Sequence, residues 1–497
     1  MMTAIRTSRR SGVLTDSLLV TCAAAMILLL RMLYCDGGAI HPEAFSFLRV
    51  YTEGRPFWAT IYNPAFNDWI MYQPRELSYC VDYLDAQWIA WCIHAGWVHF
   101  YPLSDLVLAC GTVFLQQYGA RKCFPDLDGR IITLVSLIYA LFPVTSVTYY
   151  RSAKPLTAFF LTASCFLILI LFRRLHDGGR CRMTLCLLFC SLFSLMMADR
   201  QGAFFTAVFA ALCGLALMGV SRSGYIRHPG ILLKTALFSW GIVLFGLLYN
   251  LIFSPYLVYR LNGYLPDFDY QYTEGGEVFQ FDGGLEFVFS NLGRFFCGSG
   301  GWPGIAAGIV VMMILLAALA SRVRRRVDGH GWLTDMRLCV PLVFLYSGAA
   351  LTACANVMAE KCPPILVERD LLNGSYATPM TALMIVFLLI GMNQTFRKCR
   401  WRILWIVLLS CSLLCQLEEY CPWGGDVPAF LDFTYDVSYG PEVRVMKHLL
   451  ADPSADFRKY PLMYRNMLLL RQMRGLSAFE DESRVYYYLR LYRGKRI

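Results

Sequence analysis

Repeated apolar runs of about 17 to 23 residues, parted by intervals that carry the charge, constrain this chain more than any other feature it has. An α-helix rises 1.5 Å per residue, so about 20 apolar residues cross the roughly 30 Å hydrocarbon core of a bilayer. On that basis the sequence predicts about eleven spanning helices, at 17–34, 103–119, 131–149, 155–172, 183–198, 202–220, 231–253, 302–321, 337–357, 378–393 and 402–417. Composition agrees: 57% of the 497 residues are hydrophobic, 16% are charged and the mean hydropathy is +0.47, outside the balance of soluble domains. The fold class read from the sequence is an all-α polytopic membrane protein.

Basic residues in the connections set the expected orientation. Arg121, Lys122 and Arg130, then Arg173, Arg174, Arg180 and Arg182, then Arg222 and Arg227, then Arg322 and Arg324 to Arg326, then Arg397, Lys398, Arg400 and Arg402 occupy every second interval. Loops of this kind face the cytoplasm. The N-terminus joins them, and the alternate intervals 35–102, 150–154, 199–201, 254–301, 358–377 and the tail after 418 face outward. This divides the chain into a transmembrane domain, 1–417, and a small outer cap, 418–497, which places the C-terminus outside. The first apolar run follows Arg6, Arg9 and Arg10, contains Arg31 and lacks a small-residue cleavage site, so it reads as a retained anchor and not a signal peptide. The net charge of +10 follows this alternation, which leaves no case for nucleic acid as a partner. The 19 cysteines lie scattered in apolar runs without paired CxxC blocks, a pattern of small helix residues, not of zinc ligands or a disulfide framework.

Within the first outer loop, 35–102, Tyr72-Gln-Pro-Arg-Glu-Leu-Ser-Tyr-Cys-Val-Asp-Tyr-Leu-Asp85 sets four ionisable groups between apolar segments. Pro74 suits the first turn of a helix and Glu76 its positive end, which predicts a helix over 74–86. At 100° per residue Asp82 and Asp85 fall about 60° apart on one face, and Glu76 points away from both. These acids read either as the wall of a site or as the solvated side of a surface helix. Trp58, Tyr62, Trp69 and Tyr72 before them and Trp88, Trp91 and Trp97 after them suit the headgroup level, so the loop is expected to lie along the membrane as amphipathic helices. The interval 254–301, with Asp267, Asp269, Glu274, Glu277, Asp282 and Glu286, reads as an outer lid or a solvated connector.

Other candidates for chemistry gather at the same expected face. Asp36 follows the first span beside Gly37 and Gly38, where a carboxylate meets a lipid headgroup while the tail stays in the bilayer. Arg151, Lys154 and Arg200 stand on outer turns, where the orientation rule disfavours cations. A phosphate explains them, because guanidinium and ammonium groups bind its oxygens strongly at a low-dielectric rim. Snorkelling to headgroups, or pairing with Asp199 and the loop acids, is the alternative. Glu368, Arg369 and Asp370 form a further polar set, of which Arg369 is the candidate phosphate ligand.

A span ending in an acid, a long outer loop, Tyr72-Gln-Pro-Arg75 ahead of an acidic helix, and Asp82 through His94, Trp97 and Ser104-Asp-Leu-Val107 together resemble the GT-C superfamily. These are polytopic glycosyltransferases dependent on polyprenyl-phosphate sugars, and the layout over about residues 15–220 is similar to that of protein O-mannosyltransferases and aminoarabinose transferases. The resemblance implies transfer of a sugar from a polyprenyl-phosphate carrier to an outer-face acceptor, and localisation to a bacterial plasma membrane. It implies Asp36 as base, although Tyr149-Tyr-Arg-Ser-Ala-Lys154 lacks the second acid of that family and shifts weight to Glu76, Asp82 or Asp85. The implied mechanism has Asp36 or Asp82 taking the acceptor proton, Glu76 and Asp85 positioning, and Arg151, Lys154 and Arg200 holding the phosphate. No ligand spacing demands a metal, so no cofactor is required; carboxylate oxygens suit Mg²⁺ or Mn²⁺ as an optional cation. A transporter or flippase of lipid-linked saccharide and a non-catalytic assembly protein are the rival readings. Walker A, His-Glu-x-x-His and Gly-x-Ser-x-Gly runs are all absent.

Overall fold

The computed structural model describes residues 2–34, 54, 56–62, 71–72, 74–95, 103–125, 127–142, 153–177, 181–199, 202, 204–211, 229–263, 267–268, 281–297, 301–327, 374–395 and 399–420. Helices account for nearly all of them. They are α1 (Met2–Tyr34), α2 (Phe57–Ile61), α3 (Glu76–His94), α4 (Leu103–Cys123), α5 (Gly129–Leu141), α6 (Ala153–Asp177), α7 (Arg182–Ala198) and α8 (Pro229–Leu248). A π-helical turn, Tyr249–Phe253, joins α8 to α9 (Ser254–Asn262), and α10 (Phe281–Cys297), α11 (Gly301–Val327), α12 (Gly374–Thr395) and α13 (Cys399–Tyr420) follow. Two short segments, β1 (Met71–Tyr72) and β2 (Asp267–Phe268), pair in parallel, Met71 opposite Asp267 and Tyr72 opposite Phe268.

Among the described residues, three helices are long and apolar enough to cross a membrane: Gly12–Leu29, Ala153–Leu171 and the continuous run Leu233–Asn262. Val288–Cys297 and Trp302–Ala317, bent 94° from one another, pass the same test together as a fourth. These helices mark the chain as a membrane protein, and their surfaces fit that solvent. The α8–α9 run exposes Leu237, Phe238, Leu244, Leu251 and Ile252, side chains that water would not tolerate as a continuous face and hydrocarbon does. The core lies elsewhere. In α12 every residue from Thr378 to Met392 is buried, and this helix packs against α4, α5, α6 and α11.

Local rules explain several boundaries. Asp128 caps α5, its carboxylate accepting from the Arg130 N–H at 3.0 Å, and Gly263 ends α9 at φ 80°, donating to the Tyr259 carbonyl at 2.8 Å. Glycine also sets how closely α10 and α11 approach. A Cβ on Gly293 would fall 1.6 Å from the Gly304 carbonyl oxygen, and one on Gly308 2.0 Å from that of Phe289. No side chain larger than hydrogen fits at either crossing.

Three expectations are corrected. The acidic helix begins at Glu76, not Pro74, and continues to His94 instead of stopping near 86, because Arg75 supplies the first accepted carbonyl to Tyr79. The interval 254–301 is not a lid or connector throughout: α8 runs on through the π turn into α9, and 281–297 is a helix against α11. The span expected at 131–149 ends as a helix at Leu141, where Phe142 turns extended. The expected span 337–357 and the cap beyond Tyr420 lie outside the described residues.

The bundle has two polar ends. At one, Arg121 pairs with Asp16 at 2.9 Å and Arg402 Nε donates to Asp128 at 2.6 Å. At the other, Ser104 donates to Asp85. Both ends lie on α4, and the 17 residues from Ser104 to Arg121 separate them by about 25 Å along the helix.

Candidate functional site

The second polar end is built on α3. All three of its acids are buried, with Glu76 4%, Asp82 3% and Asp85 4% exposed, so they are not the solvated side of a surface helix. Ser78 Oγ donates to the Ala198 carbonyl, which fixes the start of α3 against the end of α7. The next residue after Ala198 is Asp199, whose carboxylate forms a buried ion pair with Lys154 at the start of α6. The acidic helix therefore stands directly beside a desolvated cation and anion supplied by two other helices.

Each acid of α3 has its own surroundings. Glu76 accepts from Ser254 Oγ at 2.6 Å and is hydrogen-bonded to Tyr249, whose hydroxyl meets that of Tyr62 at 2.7 Å. Asn262 donates to the Tyr62 carbonyl at 2.6 Å and closes this set between α2, α3 and α9. The π turn matters here: Tyr249 opens it and Ser254 follows it, and both meet the same carboxylate across the extra residue of the turn. Asp85 accepts from the Ser104 N–H at 3.0 Å and from Ser104 Oγ, and from the Leu103 N–H. It caps α4 from a different helix. Burial pushes Asp85 up to about 6, the hydrogen bonds from Ser104 and Leu103 holding it from rising further. Desolvation likewise raises the Cys80 thiol to about 11, with the charges of Glu76 and Asp82 acting in the same direction. Arg75, itself buried, lies over the Tyr79 ring at 5.1 Å from its centre.

Of the residues singled out from the sequence, Glu76, Asp82 and Asp85 lie buried on α3 and Lys154 lies buried at the start of α6. Asp36, Arg151, Arg200 and Arg369 lie outside the described residues. Lys154 meets Asp199, the pairing weighed against a phosphate role. Sequence reading missed Asp105, 3% exposed in the first turn of α4, along with Tyr249 and Ser254. Nothing in local periodicity marks those two, because the π turn that presents them is a tertiary fact. Asp105, next to Ser104 at the head of an apolar run, was legible as a charge at a helix N-terminus.

Counted among the described residues at this end, the buried carboxylates Glu76, Asp82, Asp85, Asp105 and Asp199 outnumber the buried cations Arg75 and Lys154. The site is acidic, and it suits a proton acceptor better than a bare anion receptor. Among the described residues no three His, Cys, Asp or Glu side chains lie together as metal ligands. Known protein families, curated proteins and solved structures contain no match to this chain.

Proposed function

We propose that the protein is a membrane glycosyltransferase of GT-C type, moving a sugar from a polyprenyl-phosphate carrier to an acceptor at the outer face. The observation that carries this reading is the desolvation of Glu76, Asp82 and Asp85 on one helix, whose start Ser78 ties to Ala198, next to the buried Lys154–Asp199 pair, at one end of a membrane bundle. Asp82 is the base of choice within α3, since it stands one turn after Ser78, on the face that meets the end of α7 beside Asp199 and Lys154; Asp36 is its partner or rival. A carboxylate held out of water draws the proton from an acceptor hydroxyl as that oxygen attacks the anomeric carbon and the lipid phosphate departs. Lys154 is paired with Asp199, so the proposed ligands of that phosphate are chiefly Arg151, Arg200 and Arg369.

The same reading places eleven spans in the membrane, with N-terminus inside, the loop helices of 35–102 along the outer surface, and 418–497 as an outer cap. The separation of the Arg121–Asp16 and Arg402–Asp128 pairs from Ser104–Asp85 supports it, since the basic intervals then share one side. Substituting Asp36, Glu76, Asp82 and Asp85 by their amides and assaying transfer from a polyprenyl carrier tests the mechanism. Loss of about 10²-fold or more is expected for the base, and full activity in all four variants removes the catalytic reading.

A transporter or flippase of lipid-linked saccharide is the second reading, favoured by the 94° bend between Val288–Cys297 and Trp302–Ala317 with Asn291 and Arg294 buried beside it. Carrier movement across sealed vesicles without sugar transfer would decide for it.

A further inference from the structure

Away from the acidic end, α4 carries a second set of polar side chains with different chemistry. Gln116 is fully buried and neither its amide nitrogen nor its amide oxygen has a hydrogen-bond partner among the described residues. The same holds for the hydroxyls of Ser136 on α5 and Thr162 on α6, both fully buried.

Helical register sets these three residues at one depth along α4, which packs against both α5 and α6. On α4, Thr112 is hydrogen-bonded to Tyr139 of α5 and Gln117 donates to the Ile132 carbonyl of α5 at 2.8 Å, while Gly111 and Gly119 lie against the rings of Phe159 and Phe166 of α6. Gln116 stands four residues after Thr112 and three before Gly119, on the stripe between α5 and α6. Ser136 stands four after Ile132 and three before Tyr139, on the stripe of α5 that meets α4. Thr162 stands three after Phe159 and four before Phe166, on the stripe of α6 that meets α4. Interpolating between those contacts, all three fall within about two residues of depth, or about 3 Å.

We infer that Gln116, Ser136 and Thr162 form an internal hydration site that binds one water molecule inside the bundle. The ligand follows from the donor set. Every group is neutral, Gln116 offers both a donor and an acceptor, and each hydroxyl offers both, so the site favours a small neutral molecule that donates and accepts. An anion finds no charge here and a cation meets the Gln116 amide protons. A buried water makes about two to four hydrogen bonds, a range that these four atoms can supply. Water so placed relieves polar atoms that would otherwise be desolvated for nothing.

Two measurements on the full-length protein in nanodiscs test this. Gln116→Leu, Ser136→Ala and Thr162→Val should each lower the thermal unfolding midpoint by about 2 °C, and the pairs should lower it by less than the sum, since one water serves all three. Higher or unchanged midpoints, or strict additivity, overturn the site. Radiolytic labelling of the unsubstituted protein in ¹⁸O water, read by mass spectrometry, needs no variant to fold. Rapid ¹⁸O uptake at Tyr139, itself 1% exposed, is expected, and its absence overturns the proposal.

Discussion

Lys154 and Asp199 carry the clearest energetic consequence at the scale of single residues. Two charges taken out of water stabilise a fold only while they face each other, so removing one leaves the other buried and uncompensated. Lys154→Met or Asp199→Leu should cost about 3–5 kcal/mol, and the double variant should recover much of it; thermal unfolding in detergent, run as a double-mutant cycle, checks this. Asp85 gives a pH dependence of definite sign. Burial raises its folded value to about 6, above the ordinary carboxylate value near 4. The folded protein therefore takes up a proton in that window before the unfolded chain does, so Asp85 makes stability rise as pH falls from about 6 to about 4 and penalises the fold above it. Asp85→Asn should flatten this part of the profile, read from unfolding midpoints between pH 7 and pH 4. An identical slope in the variant would show that another group titrates there.

Elements set which residues meet, and the π turn is the sharpest case. One extra residue between α8 and α9 lets Tyr249 and Ser254 address Glu76 together; deleting Leu251 should restore an α-helical turn and rotate one of them away by about 100°. The check is the loss of the hydroxyl hydrogen bonds to Glu76, seen as a shift of its carboxylate band in infrared difference spectra. The α10–α11 crossing is as restrictive. Gly308→Leu has no room beside the Phe289 carbonyl, and the expected outcome is loss of folded, monodisperse protein on size-exclusion chromatography. Element reading from the sequence succeeded where composition alone decides. The apolar runs of α1, α6 and α8 were legible, and the acids of α3 were recognised as unusual. It failed at α10, because Asp282, Glu286 and three glycines make 281–297 read as a loop until α11 covers it. It also cut α3 short, since neither the break at Arg75 nor the continuation past Ala86 leaves a local signal.

At the scale of the whole molecule, the two polar ends turn charge distribution into an orientation. Asp16, Arg121, Asp128 and Arg402 gather at one end from three stretches that the basic-loop alternation puts on one side, and α3 with Lys154 and Asp199 gathers at the other. Protease-protected tags at the N-terminus and near Arg400 should therefore be found on the same side, and a tag at 64–70 on the opposite one. The candidate site was legible as a list of acids and cations but not as a set of partners. Which acid caps α4, which meets Tyr249, and that Lys154 faces Asp199 all depend on helices distant in sequence. Sugar transfer at the α3 end is the central claim, and release of free polyprenyl phosphate reports it whichever sugar or acceptor is used. The decisive measurement is that release by purified protein from a panel of polyprenyl-phosphate sugars, beside an Asp82→Asn variant of equal thermal stability. The account requires release that depends on acceptor and falls by about 10²-fold or more in the variant; equal release from both proteins, or none from either, would contradict it.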